Sequence, residues 1–103
     1  MKAIQMEARA LMAPVNLGLD TRVEFRRAAV QALETMPEGD GPLVIELAGT
    51  RTVDSAGLGV LMLVQRHASE RRVPVVLRNA NDELRFLLTL TKLVDLFQLE
   101  PTS

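Results

Sequence analysis

Apolar residues fall into two kinds of block along this chain: short runs that are apolar at nearly every position, and longer stretches in which they recur every three or four residues. Residues 3–12 alternate, with Ile4, Met6, Ala8, Ala10 and Met12 set against Gln5, Glu7, Arg9 and Leu11. A two-residue period is that of a half-buried strand or short hairpin. Pro14, Asn16 and Gly18 then break the pattern. Thr21 with Glu24 three residues on fits a capping box, in which each side chain satisfies a backbone N–H left free at a helix start. A helix is therefore expected, with Phe25, Ala28, Ala29, Ala32, Leu33 and Met36 on one stripe and Arg22, Arg26, Arg27 and Gln31 opposite. Pro37 and Gly39 end it.

Leu43–Leu47 is too short for a helix and almost wholly apolar, which predicts a central strand covered on both faces. Leu58–Val64 is apolar on nearly every side and turns polar at Gln65, Arg66 and His67, as in a helix that starts deep in the fold. Arg66, Arg71 and Arg72 suit the negative end of its dipole and read as a solvated helix end. Val73–Leu77, with Pro74 near its start, predicts a second buried strand. Asn81 can cap a third helix with Leu84, Leu87, Leu88 and Thr91 on one stripe and Phe86, Leu90 and Leu93 on another. Val94–Leu99 is expected to form a short last strand or to pack irregularly before Pro101. Strand and helix patterns alternate over short connections, which argues for an α/β fold with a mostly parallel or mixed sheet.

The length of 103 residues allows one core and not two, so a single domain over residues 1–103 is expected. The absence of cysteine excludes disulfides and thiolate metal sites. Twelve Lys and Arg against 13 Asp and Glu give a net charge of −1, and there is no Trp or Tyr. Neither a basic field nor a stacking platform is offered to nucleic acid. Gln5, Glu7 and Arg9 interrupt the N-terminal apolar residues, so no signal peptide or membrane span is read and a cytoplasmic location is expected.

The most unusual string is Thr52, Val53, Asp54, Ser55, Ala56, Gly57, Leu58 and Gly59. Asp54 or Ser55 can cap the helix that follows, and Gly57 and Gly59 keep its first turn thin enough for another surface to approach. Each glycine costs a helix about 1 kcal/mol relative to alanine. A serine nucleophile needs a base, and the single histidine, His67, lies 12 positions on along the same helix, roughly 18 Å away at 1.5 Å per residue. No phosphate loop or dinucleotide fingerprint is present. Catalysis, a cofactor and a metal site are thus not expected; His67 reads as a solvent-facing helix residue, and Met36 and Met62 as core filler. Two uses of Ser55 remain open: a plain helix cap, or a phosphoacceptor whose added charge of roughly 1.5 to 2 would repel or block a docked partner.

The segment Leu43 to Leu61, LVIELAGTRTVDSAGLGVL, resembles the central signature of STAS domains, particularly bacterial anti-sigma factor antagonists. The later VVLRN at Val75–Asn79, NDELR at Asn81–Arg85 and LTKLVDLF at Leu90–Phe97 are similar to the closing strand and helix of that family, and the resemblance covers about residues 15–99. It implies a small mixed sheet of about four to five strands with three main helices packed mostly on one face. It implies a regulatory binding domain that docks an anti-sigma factor of the histidine-kinase-like serine kinase type, through Asp54–Leu58 and neighbouring Thr50–Val53, and is released when that kinase phosphorylates Ser55. In many antagonists a second hydroxyl residue follows; here that position is Ala56, which also matches small STAS subunits that stabilise the ATPase of lipid-transporting ABC systems. A scaffold role in a signalling complex is the third implied class.

Overall fold

In a computed structural model of the chain, residues 6, 7 and 10–100 are described, with side chains from Ala10 onward; residues 3–5, 8 and 9 of the alternating stretch, and Pro101, fall outside them. Strands β1 (Met6–Glu7) and β2 (Ala10–Met12) pair antiparallel, as in the second of the two alternatives, strand or short hairpin, expected there. The remaining elements are β3 (Asn16–Leu17), α1 (Arg22–Thr35), β4 (Leu43–Glu46), β5 (Thr52–Val53), α2 (Ser55–Glu70), β6 (Val75–Arg78), α3 (Asp82–Leu90), a 3₁₀ turn at Val94–Leu96, and β7 (Gln98–Leu99). The main sheet has the order β1-β2-β4-β6-β7, with β2, β4, β6 and β7 parallel. Strand order rises steadily along the sheet, and crossovers of one hand moving in one direction set every helix on the same side. Phe25, Ala29 and Leu33 of α1, Val60, Leu61, Val64 and Ala68 of α2, and Leu84 and Leu88 of α3 accordingly share one core with Leu43, Ile45, Val75 and Leu77 of the sheet.

Several expectations need correction. The alternation at the N-terminus is out of phase: Leu11 pairs with Ile45, and Ile45 with Leu77, in the row that faces the helices, whereas Ala10 lies in the opposite row with Val44 and Val76. One leucine outweighs several alanines and methionines in setting which face is buried. The central strand β4 is covered by helices on one face only, and Val44 on the other is half-buried. That other face carries Glu46, whose carboxylate accepts from Asn79 Nδ2 (2.9 Å), Arg78 Nε and the Ala48 N–H (2.9 Å). Burial pushes this carboxyl up, and those three donors together hold it below its ordinary range.

The third correction concerns helix ends. Thr21 is the N-cap of α1 but makes no capping bond; its Oγ1 accepts from the Gly18 N–H (3.0 Å) and donates to the Asn16 carbonyl (2.7 Å), so the box with Glu24 does not form. The hydroxyl has been taken up by the preceding turn. At the other end of the helical layer, Arg71 is not a freely solvated cation, because its Nη2 donates to the Met36 carbonyl (2.7 Å) and ties the end of α2 to that of α1. Helix α3 behaves as read from its cap, with Asn81 Oδ1 accepting from the Leu84 N–H at 2.8 Å. Leu84 and Leu88 of its first stripe are buried; of the second, Leu93 lies beyond the helix and packs against the core, whereas Phe86 and Leu90 are 64% and 66% exposed. Met36 is core, while Met62 of α2 faces outward.

Candidate functional site

A strand pair that no local sequence pattern encodes builds this site. Asn16–Leu17 and Thr52–Val53, read respectively as punctuation and as part of a loop, pair as the parallel two-stranded sheet β3-β5. Thr50 Oγ1 donates to the Pro14 carbonyl (2.8 Å) and Thr52 Oγ1 to Asn16 Oδ1 (2.7 Å), so residues 50–53 are fastened along residues 14–17. From this clamp the chain enters α2 at a fixed angle. Asp54 is its N-cap: Oδ1 accepts from the Gly57 N–H (2.8 Å) and Oδ2 reaches across to the Leu19 N–H (3.2 Å). These two backbone donors, Gly57 first, hold the Asp54 carboxyl below its ordinary range, helped by the Ala56 N–H and the charge of Arg22.

Because Asp54 takes the cap, Ser55 does not. Its side chain is exposed at the first position of α2, and among the described residues its hydroxyl has no hydrogen-bond partner. It borders a groove of about 480 Å³ between the two helices, lined by Ala56, Gly59, Val60 and Leu63 from α2 and by Arg22, Val23 and Arg26 from α1. Val23 is 61% and Leu63 47% exposed, and Leu19, whose N–H donates to Asp54, is 63% exposed. An unused hydroxyl thus sits at the mouth of a partly apolar groove with two arginines on its rim.

The eight residues singled out in the sequence divide in two. Thr52, Asp54 and Ser55 are exposed, and Ala56 and Gly59 are half-buried at the groove; Val53 and Leu58 pack against the core, and Gly57 is buried. The surface that approaches Gly57 belongs to the chain itself: a Cβ there would overlap the Leu17 carbonyl oxygen and lie 2.8 Å from its carbon. At Gly59 a Cβ would meet nothing within 4 Å, so this is the glycine that leaves room at the surface. Leu19, Arg22, Val23, Arg26 and Leu63 join the site without having been expected there. Their signal was an excess of apolar residues, with Val23 on the charged side of α1 and Leu63 beyond what α2 needs for one buried stripe. His67 lies farther along α2, half-buried in a depression shared with Arg26 and Leu63. Among the described residues no three His, Cys, Asp or Glu side chains gather as a metal site, and no helix is long and apolar enough to cross a membrane.

Residues 4–99 match a family model described as "Mlab, STAS domain". The chain matches no curated protein. Among solved structures, it is similar to a candidate anti-sigma factor antagonist of Thermotoga maritima in its crystal structure, with a TM-score of 0.77 and 18% identity over 96% of this chain and 85% of that one. An NMR structure of the protein TM1081 superposes with a TM-score of 0.76 and 19% identity, covering 99% and 82% of the two chains. At such identity the likeness shows the fold alone.

Proposed function

Since this chain belongs to the STAS domain family, we propose that it acts as an anti-sigma factor antagonist: a binding domain, not a catalyst, that docks a histidine-kinase-like anti-sigma factor at the start of α2 and lets go when Ser55 is phosphorylated. The observation that carries this reading is the free, exposed Ser55 hydroxyl on a turn already capped by Asp54. A phosphoryl group can be added there without withdrawing any bond that holds the fold, so the modification acts on the surface alone. The surrounding Leu19, Val23 and Leu63 supply the apolar contact area that a protein partner buries.

A second reading keeps the fold and changes the partner, to the ATPase of a lipid-transporting ABC system. It is favoured by Ala56, where the ABC-associated pattern has alanine after its hydroxyl residue, and by a matching family model whose description carries no anti-sigma name. The two are separated by affinity capture from the native cell with the unmodified chain and with Ser55→Asp, read by mass spectrometry. The first reading expects a kinase-type anti-sigma factor that Ser55→Asp fails to retain, and phosphate on Ser55 when that protein is supplied with ATP. Recovery of an ABC ATPase with its permease instead would overturn it in favour of the second.

A further inference from the structure

Two cations line the groove beside Ser55. Arg22 and Arg26 stand one turn apart on α1, and among the described residues neither has an ion-pair or hydrogen-bond partner. The Asp54 carboxylate lies within reach of the Arg22 charge, but its two oxygens are already turned toward the backbone N–H groups of Gly57 and Leu19. Ser55 borders the same groove from the α2 side, with its hydroxyl unpaired. An arginine with no hydrogen-bond or ion-pair partner among the described residues and a phosphoacceptor lining the same groove are the two halves of a charge-assisted pair, since guanidinium and phosphate oxygens match in both charge and fork geometry.

We propose that Arg22 is the internal receptor of a phosphoryl group on Ser55. The γ-phosphoryl of ATP passes to Ser55 Oγ, with ADP and the hydroxyl proton released; the resulting phosphate swings over the groove and pairs with the Arg22 guanidinium. This joins the start of α2 to the start of α1 and covers the floor formed by Ala56, Val60 and Leu63, so the docking groove is filled from within as well as recharged. It also accounts for a phosphoacceptor placed next to Asp54, because Arg22 offsets the repulsion between the two anions. Arg26 lines the same groove a turn farther along α1, but it is the charge of Arg22 that reaches Asp54, the residue next to Ser55. The inference rests on reading Ser55 as phosphorylated.

Its test needs neither kinase nor partner. Phosphoserine is installed at position 55 during translation, and the phosphate is titrated by phosphorus NMR in the parent chain and in Arg22→Gln, Arg22→Lys and Arg26→Gln. The second ionisation of a free phosphoserine lies near pH ~6; a nearby cation favours the dianion and lowers it. The expected result is a lowered value in the parent, a rise of about half a unit or more in Arg22→Gln, and partial restoration in Arg22→Lys. Asp54, Arg26 and the more distant His67 are unchanged between the parent and the Arg22 variants, so the difference isolates one side chain. Identical titrations in parent and Arg22→Gln, or a shift removed by Arg26→Gln and not by Arg22→Gln, would overturn the assignment. If the titration succeeds while no cellular kinase modifies Ser55, the proposed function fails and the pairing stands; the converse result removes the pairing and leaves docking intact.

Discussion

At Asp54 one side chain holds both the start of α2 and the turn at Leu19, so its removal should be felt on both sides. Asn at this position keeps one oxygen for the Gly57 N–H but cannot serve both donors, and Ala serves neither. Thermal unfolding at neutral pH should therefore rank the parent above Asp54→Asn, and Asp54→Asn above Asp54→Ala. The carboxyl is held below its ordinary value of 3.8, chiefly by the Gly57 N–H and then by that of Leu19. A group whose folded pKa is depressed stabilises fully above its unfolded value and loses that effect as pH falls through the folded one. The melting temperatures of parent and Asp54→Asn should thus stay apart above about pH 5 and converge as the pH drops below 3.8. A gap independent of pH would show that the ionised form is not what matters. Glu46 titrates in the same direction but is common to both proteins, so it cancels in the comparison.

At the scale of elements, the two glycines of α2 make opposite predictions although both carry the same intrinsic helix penalty. Gly59→Ala places its methyl where nothing lies within 4 Å and should stabilise the fold by up to about 1 kcal/mol, read from chemical denaturation. Gly57→Ala drives its methyl into the Leu17 backbone, whose position is fixed by pairing with Val53, and should cost about 1–3 kcal/mol or prevent folding. Equal effects would mean that β3 does not press on α2. Nothing in the one-dimensional pattern separates these residues, since what distinguishes them is a strand 40 positions earlier in the chain. The same reason explains which parts of the fold were legible. Helices α1, α2 and α3, and strands β4 and β6, announce themselves by local periodicity and by caps such as Asn81. The β3-β5 pair is two residues long on each side and depends on Thr52 meeting Asn16, a contact that no local spacing encodes. The capping box expected of Thr21 and Glu24 does not form, because the Thr21 hydroxyl is engaged by Gly18 and Asn16 of the preceding turn. For the site, the position of Ser55 was plain in the sequence; the α1 half of the groove was not, since Val23 and Arg22 become its neighbours only once the two helices are laid side by side.

Over the whole molecule, the steady strand order spreads the helices along one side of the sheet, with α1 bridging β2 to β4 and α3 bridging β6 to β7. Among the described residues, exposed apolar side chains include those at the α1-α2 groove and, near the opposite edge, Phe86 and Leu90; the groove adjoins Ser55. Loops that follow the carboxyl ends of parallel strands are where such sheets present ligands, and the segment from β4 to α2 is one of these. Under the proposed function, a partner that reads the state of Ser55 is expected to bury the groove and to ignore Phe86 and Leu90. Val23→Asp and Leu63→Asp alter side chains that already face solvent, so each should change stability by no more than about 0.5 kcal/mol. Either should nonetheless weaken partner capture by about tenfold or more, the loss expected when a charge replaces an apolar contact at the centre of an interface. Phe86→Asp, at an equally exposed position on α3, should leave capture unchanged. Binding measured for the three folded variants against the captured partner maps the contact directly: retention by Val23→Asp and Leu63→Asp with loss by Phe86→Asp would move the docking face to the other end of the sheet, out of reach of any charge placed on Ser55.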